Sequence, residues 1–145
     1  MSVLKAIYDL VKATPSVTTD LATYDFGSGN EPAIFTTQPP PPDAPAPLVV
    51  ISQTGGNLTG RDRSTRGGEI ELDVFVWGEQ NESEKGINAI AMELWRTLDR
   101  ATLTVEGYES VYCLSDPPGR APDGDGFPGY LLRCRVLIRE VLSTS

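Results

Sequence analysis

Few residues of this chain are able to do acid–base, nucleophilic or metal chemistry, and their spacing is informative chiefly for what it excludes. Histidine is absent from all 145 positions. That removes the commonest general base and transition-metal ligand, and with them any Ser/His/Asp or Cys/His nucleophilic arrangement. Carboxylates occur in close pairs, Glu69/Glu71 and Asp123/Asp125. A glycosidase needs two carboxylates in different environments across a cleft. Here the first pair falls on a strand face opposite expected arginines, and the second in a turn-rich segment without an acid partner. Asp123-Gly124-Asp125-Gly126 has the start of a calcium loop, but the downstream bidentate glutamate at EF-hand spacing is missing, which favours an exposed connector. Gly55-Gly56 lacks the lysine and following helix of a phosphate-binding loop. Cys113 and Cys134 both fall in expected strands and lie near each other if those strands pair. They read as reduced core thiols, and two cysteines without histidine make a poor zinc site. The chain therefore reads as a non-enzyme with no catalytic, cofactor or metal site.

What remains is a pattern suited to contact. Arg61, Arg63 and Arg66 place three of the twelve basic residues within six positions of an otherwise acidic chain. They lie in the irregular segment Thr54–Gly67, a length at which loops are either functional or disordered. Partner contact and plain flexibility both account for it. With Asp62, and with Arg120, Asp123 and Asp125 of a second long loop (Asp116–Pro128), these residues form the candidate partner or oligomer interface.

The elements that must position these residues follow from periodicity. Glu69-Ile70-Glu71-Leu72-Asp73-Val74-Phe75-Val76-Trp77 alternates, with Ile70, Leu72, Val74 and Val76 on one face. Glu69, Glu71 and Asp73 take the other face, which turns aromatic at Phe75 and Trp77. Gly78 ends the strand. Asn81 then opens a helix with Glu84 as its capping-box partner, and Ile87, Ile90, Ala91, Leu94, Trp95 and Leu98 form the apolar stripe. An earlier helix is expected from Ser2, as N-cap, to about Ala13, where Pro15 stops it. Short strands are expected at Thr23–Phe26 and Ala33–Thr36, separated by a turn at Gly27–Asn30. Gln38–Pro47 is proline-rich and reads as a stiff connector in preference to a polyproline ligand. It leads into Leu48–Ser52, whose continuous apolar character suggests a strand covered on both faces. Leu103–Val105 and Tyr108–Ser115 read as a strand pair. Gly129–Leu142 reads as a long final strand, with Arg133, Arg135 and Arg139 placed to pair across strands with Glu69, Glu71 and Asp73. Fourteen residues at about 3.3 Å each exceed what a small core requires, so one end should project or bend. The expected fold is α+β: a mostly antiparallel sheet of about five strands with two helices packed on one face and long inter-strand loops.

Composition bounds the rest. With 39% hydrophobic residues the chain is expected to form one globular domain, residues 1–145. A net charge of −8 argues against a nucleic-acid binder that works through a basic patch. No apolar run reaches the roughly 20 residues of a membrane span, and the first residues lack a signal-peptide core, so cytoplasmic synthesis is the expectation.

The order of elements resembles the tail terminator (tail completion) proteins of long-tailed, siphophage-type bacteriophages and related gene transfer agents. The matching features are the helix Val3–Lys12, the strand Leu48–Ser52 after a proline-rich lead, and the glycine-bounded loop. To these are added the strand Glu69–Trp77 closing in Trp77-Gly78, the helix Ser83–Arg100 ending in Leu94-Trp95-Arg96-Thr97-Leu98, and a long final strand. The resemblance implies a structural virion protein of the neck and tail, assembled in the host cytoplasm. It implies a homo-hexameric ring that caps the head-proximal end of the tail tube, terminates tail polymerisation and joins tail to head. Its partners would be further copies of itself, the tail tube protein and a head–tail connector or stopper, with DNA passing through the ring without sequence-specific binding and with no membrane. The chain departs from the family pattern in the Asp116–Pro128 loop and the Pro39–Pro42 run. Another neck or head-completion ring protein, or an adaptor presenting Pro39–Pro47 to a host protein, are the alternatives.

Overall fold

The computed structural model of the chain describes residues 3–36, 40–57, 66–79, 83–105, 108–121 and 127–140. Helix α1 (Val3–Lys12) buries Val3, Ala6, Ile7 and Val11 on one stripe. Pro15 ends α1 and begins the single turn α2 (Pro15–Thr18), where its missing N–H and fixed φ suit the first helical position. The expected Ser2 cap lies outside the described residues.

Strands β1 (Thr23–Asp25) and β2 (Asn30–Pro32) form a small antiparallel hairpin. Its turn passes through Gly27 (φ 99°) and Gly29 (φ 124°), left-handed conformations that a Cβ would strain. The main sheet has seven strands: β3 (Ile34–Phe35), β4 (Leu48–Asn57), β5 (Arg66–Trp77), β6 (Ala101–Leu103), β7 (Tyr108–Ser115), β8 (Gly119–Arg120) and β9 (Gly129–Glu140). Their spatial order is β3-β4-β5-β9-β7-β6, with β8 also on β9.

This corrects the expected fold class. In place of a mostly antiparallel sheet of about five strands, the chain builds a mixed seven-stranded sheet curled into a half-barrel, plus the separate hairpin. The parallel pair is β3 with β4, registered Ile34↔Val49 and Phe35↔Val50. Parallel neighbours need a crossover of about a dozen residues, and residues 36–47 supply it. The proline-rich segment is thus the return path that makes the sheet mixed. Strand β3 falls within the strand expected at Ala33–Thr36, whereas β8 was hidden by length, its two residues being too few for alternation to register.

Most of the core lies between the helices and one sheet face. Ile7, Val11, Val17, Ile51, Leu72, Val74, Val76, Ile87, Leu94, Leu98, Leu132 and Val136 are fully buried there. A smaller cluster on the opposite face joins Ala33, Phe35, Leu48 and Val50 to Ala44, Ala46, Phe75 and Trp77. Strand β4 therefore sends Val49 and Ile51 to one core and Leu48 and Val50 to the other, which is why its sequence is apolar without alternation.

Helix α3 (Glu84–Leu98) buries Ile87, Ile90, Ala91, Leu94 and Leu98. Its N-cap is Ser83, whose hydroxyl accepts from the Lys85 amide at 3.3 Å; the expected Asn81 cap lies outside the described residues. The strand expected at Leu103–Val105 runs instead over Ala101–Leu103, entered through Arg100 at φ 63°. The twelve residues of β9 do not overhang: β5 matches them pair for pair from Arg66↔Glu140 to Trp77↔Gly129. Irregularity falls on the neighbours, with register shifts at Gln53/Gly55 in β4 and Tyr108/Ser110 in β7.

Candidate interaction surface

The strand face turned away from the helices carries the charge. The β5–β9 register sets Asp73 opposite Arg133 and Glu71 opposite Arg135. Glu69 lies diagonally from Arg135, with Oε1 3.5 Å from the guanidinium Nη1. Two of the expected pairings thus lie directly across the sheet, while Arg139 stands opposite Gly67 and Glu69 opposite Leu137, so the third is not formed. A cavity of about 320 Å³ opens beside this ladder, lined by Glu71, Asp73, Asp116, Arg133, Cys134 and Arg135 among others. Its lining sets the carboxylates of Glu71, Asp73 and Asp116 beside the guanidinium groups of Arg133 and Arg135.

Of the expected interface residues, Arg66 and Arg120 are among those described. Arg61, Asp62, Arg63, Asp123 and Asp125 lie outside the described residues. Arg66 opens β5 opposite Glu140 at the far end of the sheet. Arg120, in β8, is ion-paired with Glu84 in the first turn of α3, so it ties two elements of its own subunit together.

Two apolar surfaces had no counterpart among the expected site residues. At the β1–β2 hairpin, Tyr24 and Phe26 meet edge-on with centroids 5.1 Å apart, and Phe35 lies 5.3 and 5.4 Å from them. The Tyr24 hydroxyl donates to Asp43 at 3.1 Å, and burial, then that carboxylate, push the phenol above its ordinary pKa. On the same side of β1–β2, Lys12 Nζ sits 2.7 Å from Glu31, and the hydrogen bond raises its ammonium pKa. The second surface is a cavity of about 310 Å³ lined by Pro40, Ala44, Ala46, Leu48, Trp77, Gly78 and Phe127. Phe75 and Trp77 stack there at 5.8 Å and 8°. The aromatic turn of the β5 outer face was the sequence signal for this surface. Ala44 and Ala46, from the end of the proline-rich segment, pack on that cluster.

Behind the sheet, Cys113 and Cys134 are both buried free thiols. The neighbouring Cys134 and burial push the Cys113 thiol above its ordinary pKa, and the neighbouring Cys113 lowers that of Cys134. Among the described residues no group of three His, Cys, Asp or Glu side chains is placed to hold a metal ion, and no helix is long and apolar enough to cross a membrane.

The arrangement defines a small curled-sheet domain whose distinctive surfaces are a charge ladder and two aromatic patches. No protein-family model matches the chain, and no curated protein matches it. Among solved structures it is similar to a chain of the "Virion of native gene transfer agent (GTA) particle", with a TM-score of 0.63 and 16% identity over 95% of each chain. The two chains share a fold from end to end.

Proposed function

We propose that this protein is a structural subunit of a phage-like virion, and within it the ring that terminates the tail tube and joins tail to head. The observation that carries the reading is the fold likeness, over 95% of both chains, to a component of a gene transfer agent virion. The tail terminator assignment rests on the order of elements given above. Physical features are compatible with a ring subunit, which must offer surfaces to two neighbours. On its outer side β4 is paired by β3 only at Val49 and Val50, so among the described strands its edge from Ile51 to Asn57 is open to a further chain. Exposed Phe26, Phe127 and Leu137 (39%, 40% and 41%) add apolar contact points at separate places on the surface.

The test is assembly. The purified protein, alone and mixed with tail tube subunits, is examined by light scattering and negative-stain microscopy. Rings at tube ends, and tubes of limited length, are expected. Tubes of unlimited length with no ring on any end would overturn the proposal. Arg61, Arg63 and Arg66 are the proposed tube or connector contacts, since guanidinium groups suit polar interfaces with carboxylates. Their triple replacement by alanine should leave the fold intact while tails grow overlong or stay headless. Normal tail length and head joining in that variant would place the interface elsewhere.

A further inference from the structure

We propose that the charged face of β5 and β9 docks on the same face of a second copy of this chain, about a two-fold axis parallel to the strands. Glu69 and Arg135, at 3.5 Å, make the one ion pair of this face among the described residues. Asp73 stands opposite Arg133, Glu71 opposite Arg135 and Gly67 opposite Arg139, and none of these closes to an ion pair. Glu71 leans over β4, where a Cβ on Gly55 would lie 3.2 Å from its Oε2. Arg133, Arg135 and Arg139 are exposed, and Leu137 among them is 41% exposed. The face therefore presents a column of carboxylates beside a column of guanidinium groups, most of them without a partner in their own subunit.

Two such columns side by side are self-complementary. Rotation about an axis that runs along the strands, above the line between β5 and β9, lays the acidic column of one copy over the basic column of the other, row on row. From the register, Asp73 then meets the partner's Arg133 and Glu71 meets the partner's Arg135. Glu69 falls between the partner's Arg135 and the partner's Arg139. Arg139, which has no acid across from it in its own subunit, thereby gains one. An axis perpendicular to the strands would stack acid on acid and arginine on arginine, and that repulsion excludes it. Facing sheets lie about 10 Å apart, a gap that an extended arginine and a carboxylate fill together. A two-fold contact lets one patch serve both subunits.

The contact is small. Ala44 and Ala46 pack against the Phe75–Trp77 end of the face, so its free part runs from Asp73 to Gly67. Across β4, β5, β9 and β7 that is roughly 450 Å² per copy, at about 3.3 Å per residue along a strand and about 4.8 Å between strands. Totals below about 1,200 Å² belong to weak, reversible associations. Leu137, with Tyr112 and Leu114 on the neighbouring outward positions of β7, supplies the apolar part, and the charge columns supply the register. The net charge of −8 opposes the approach at long range, but at physiological salt screening over about 8 Å leaves chiefly the groups in contact. The proposal is independent of the tail terminator reading.

Sedimentation equilibrium of the full chain over a range of concentrations, at physiological salt, reads the association. A reversible dimer is expected, or a doubled ring where rings form as well. Arg139→Glu, which leaves the Glu69–Arg135 pair of the subunit in place, should weaken the dimer about tenfold or more, because the change acts twice across the axis and turns attraction to the partner's Glu69 into repulsion. The double variants Arg133→Glu with Arg135→Glu, and Glu71→Lys with Asp73→Lys, should each be monomeric alone and form a one-to-one dimer when mixed. Circular dichroism checks that each is folded, and Arg139→Glu carries the test where either is not. A monomer at every concentration, a dimer that Arg139→Glu leaves unchanged, or folded double variants that fail to combine would overturn the proposal. A single ring that Arg139→Glu does not disturb would also overturn it, while leaving the tail terminator reading in place.

Discussion

Replacing Leu98 by alanine tests the helix–sheet core, and the structure sets the size of the effect. Leu98 is 0% exposed in the last turn of α3 and belongs to the cluster that contains Val74, Val76 and Leu132. Leu→Ala at a fully buried site costs about 2–5 kcal/mol, the upper part of the range applying where the surroundings are unable to close over the void. Here closure is opposed on several sides. The Asp99 amide bonds the Trp95 carbonyl at 2.8 Å. Trp95 Nε1 donates to the Ser115 carbonyl at 3.2 Å, and the Ser115 amide donates to Asp99 Oδ1 at 3.0 Å. The end of α3 is thereby tied to the end of β7 and does not slide inward. The loss should lie at about 3–5 kcal/mol. With an unfolding entropy of about 2.1 cal/mol/K per residue, that is roughly 10–16 °C in Tm for a chain of this length. Urea unfolding followed by tryptophan fluorescence and circular dichroism measures it. A loss below about 1 kcal/mol with an unchanged m-value would refute the packing assigned to this helix.

Three further outcomes follow from particular contacts. Gly129 faces Trp77 across β5–β9, and a Cβ there would run into the indole ring; Gly129→Ala should cost about 1–3 kcal/mol in a denaturant melt, and Trp77→Leu in the same chain should recover part of it. Ser83→Ala removes the acceptor for the Lys85 amide and should cost about 0.5–1 kcal/mol, with no loss indicating that another group caps α3. A double-mutant cycle on Asp73 and Arg133, which face each other across the sheet, should give a favourable coupling of about 0.2–1 kcal/mol that shrinks with added salt; a repulsive or zero coupling would contradict the charge register.

How much of this was legible beforehand is clearest residue by residue. Local pattern alone determined the long elements: the stripe of α1, the stripe Ile87–Leu98 of α3, the alternation of β5 and β9, and the opposite charges that set their register. Each of these is carried by side chains within one or two strands or turns, where periodicity reports directly on which face is buried. The exclusion of histidine-based chemistry and the sites of the two cysteines were equally local facts. Tertiary structure decided the rest. That β3 runs parallel to β4 depends on where a proline-rich crossover returns the chain, and the two-residue β8 has no period to read. That Arg120 meets Glu84 follows from β8 lying beside the start of α3, a contact between residues 36 positions apart. The diagonal approach of Cys113 and Cys134, and the aromatic surfaces built by Tyr24 with Phe35 and by Trp77 with Ala46, likewise join segments that no local rule connects. Surfaces of this kind are made by chain segments meeting across the fold, so sequence supplies their parts and only the packed sheet assembles them.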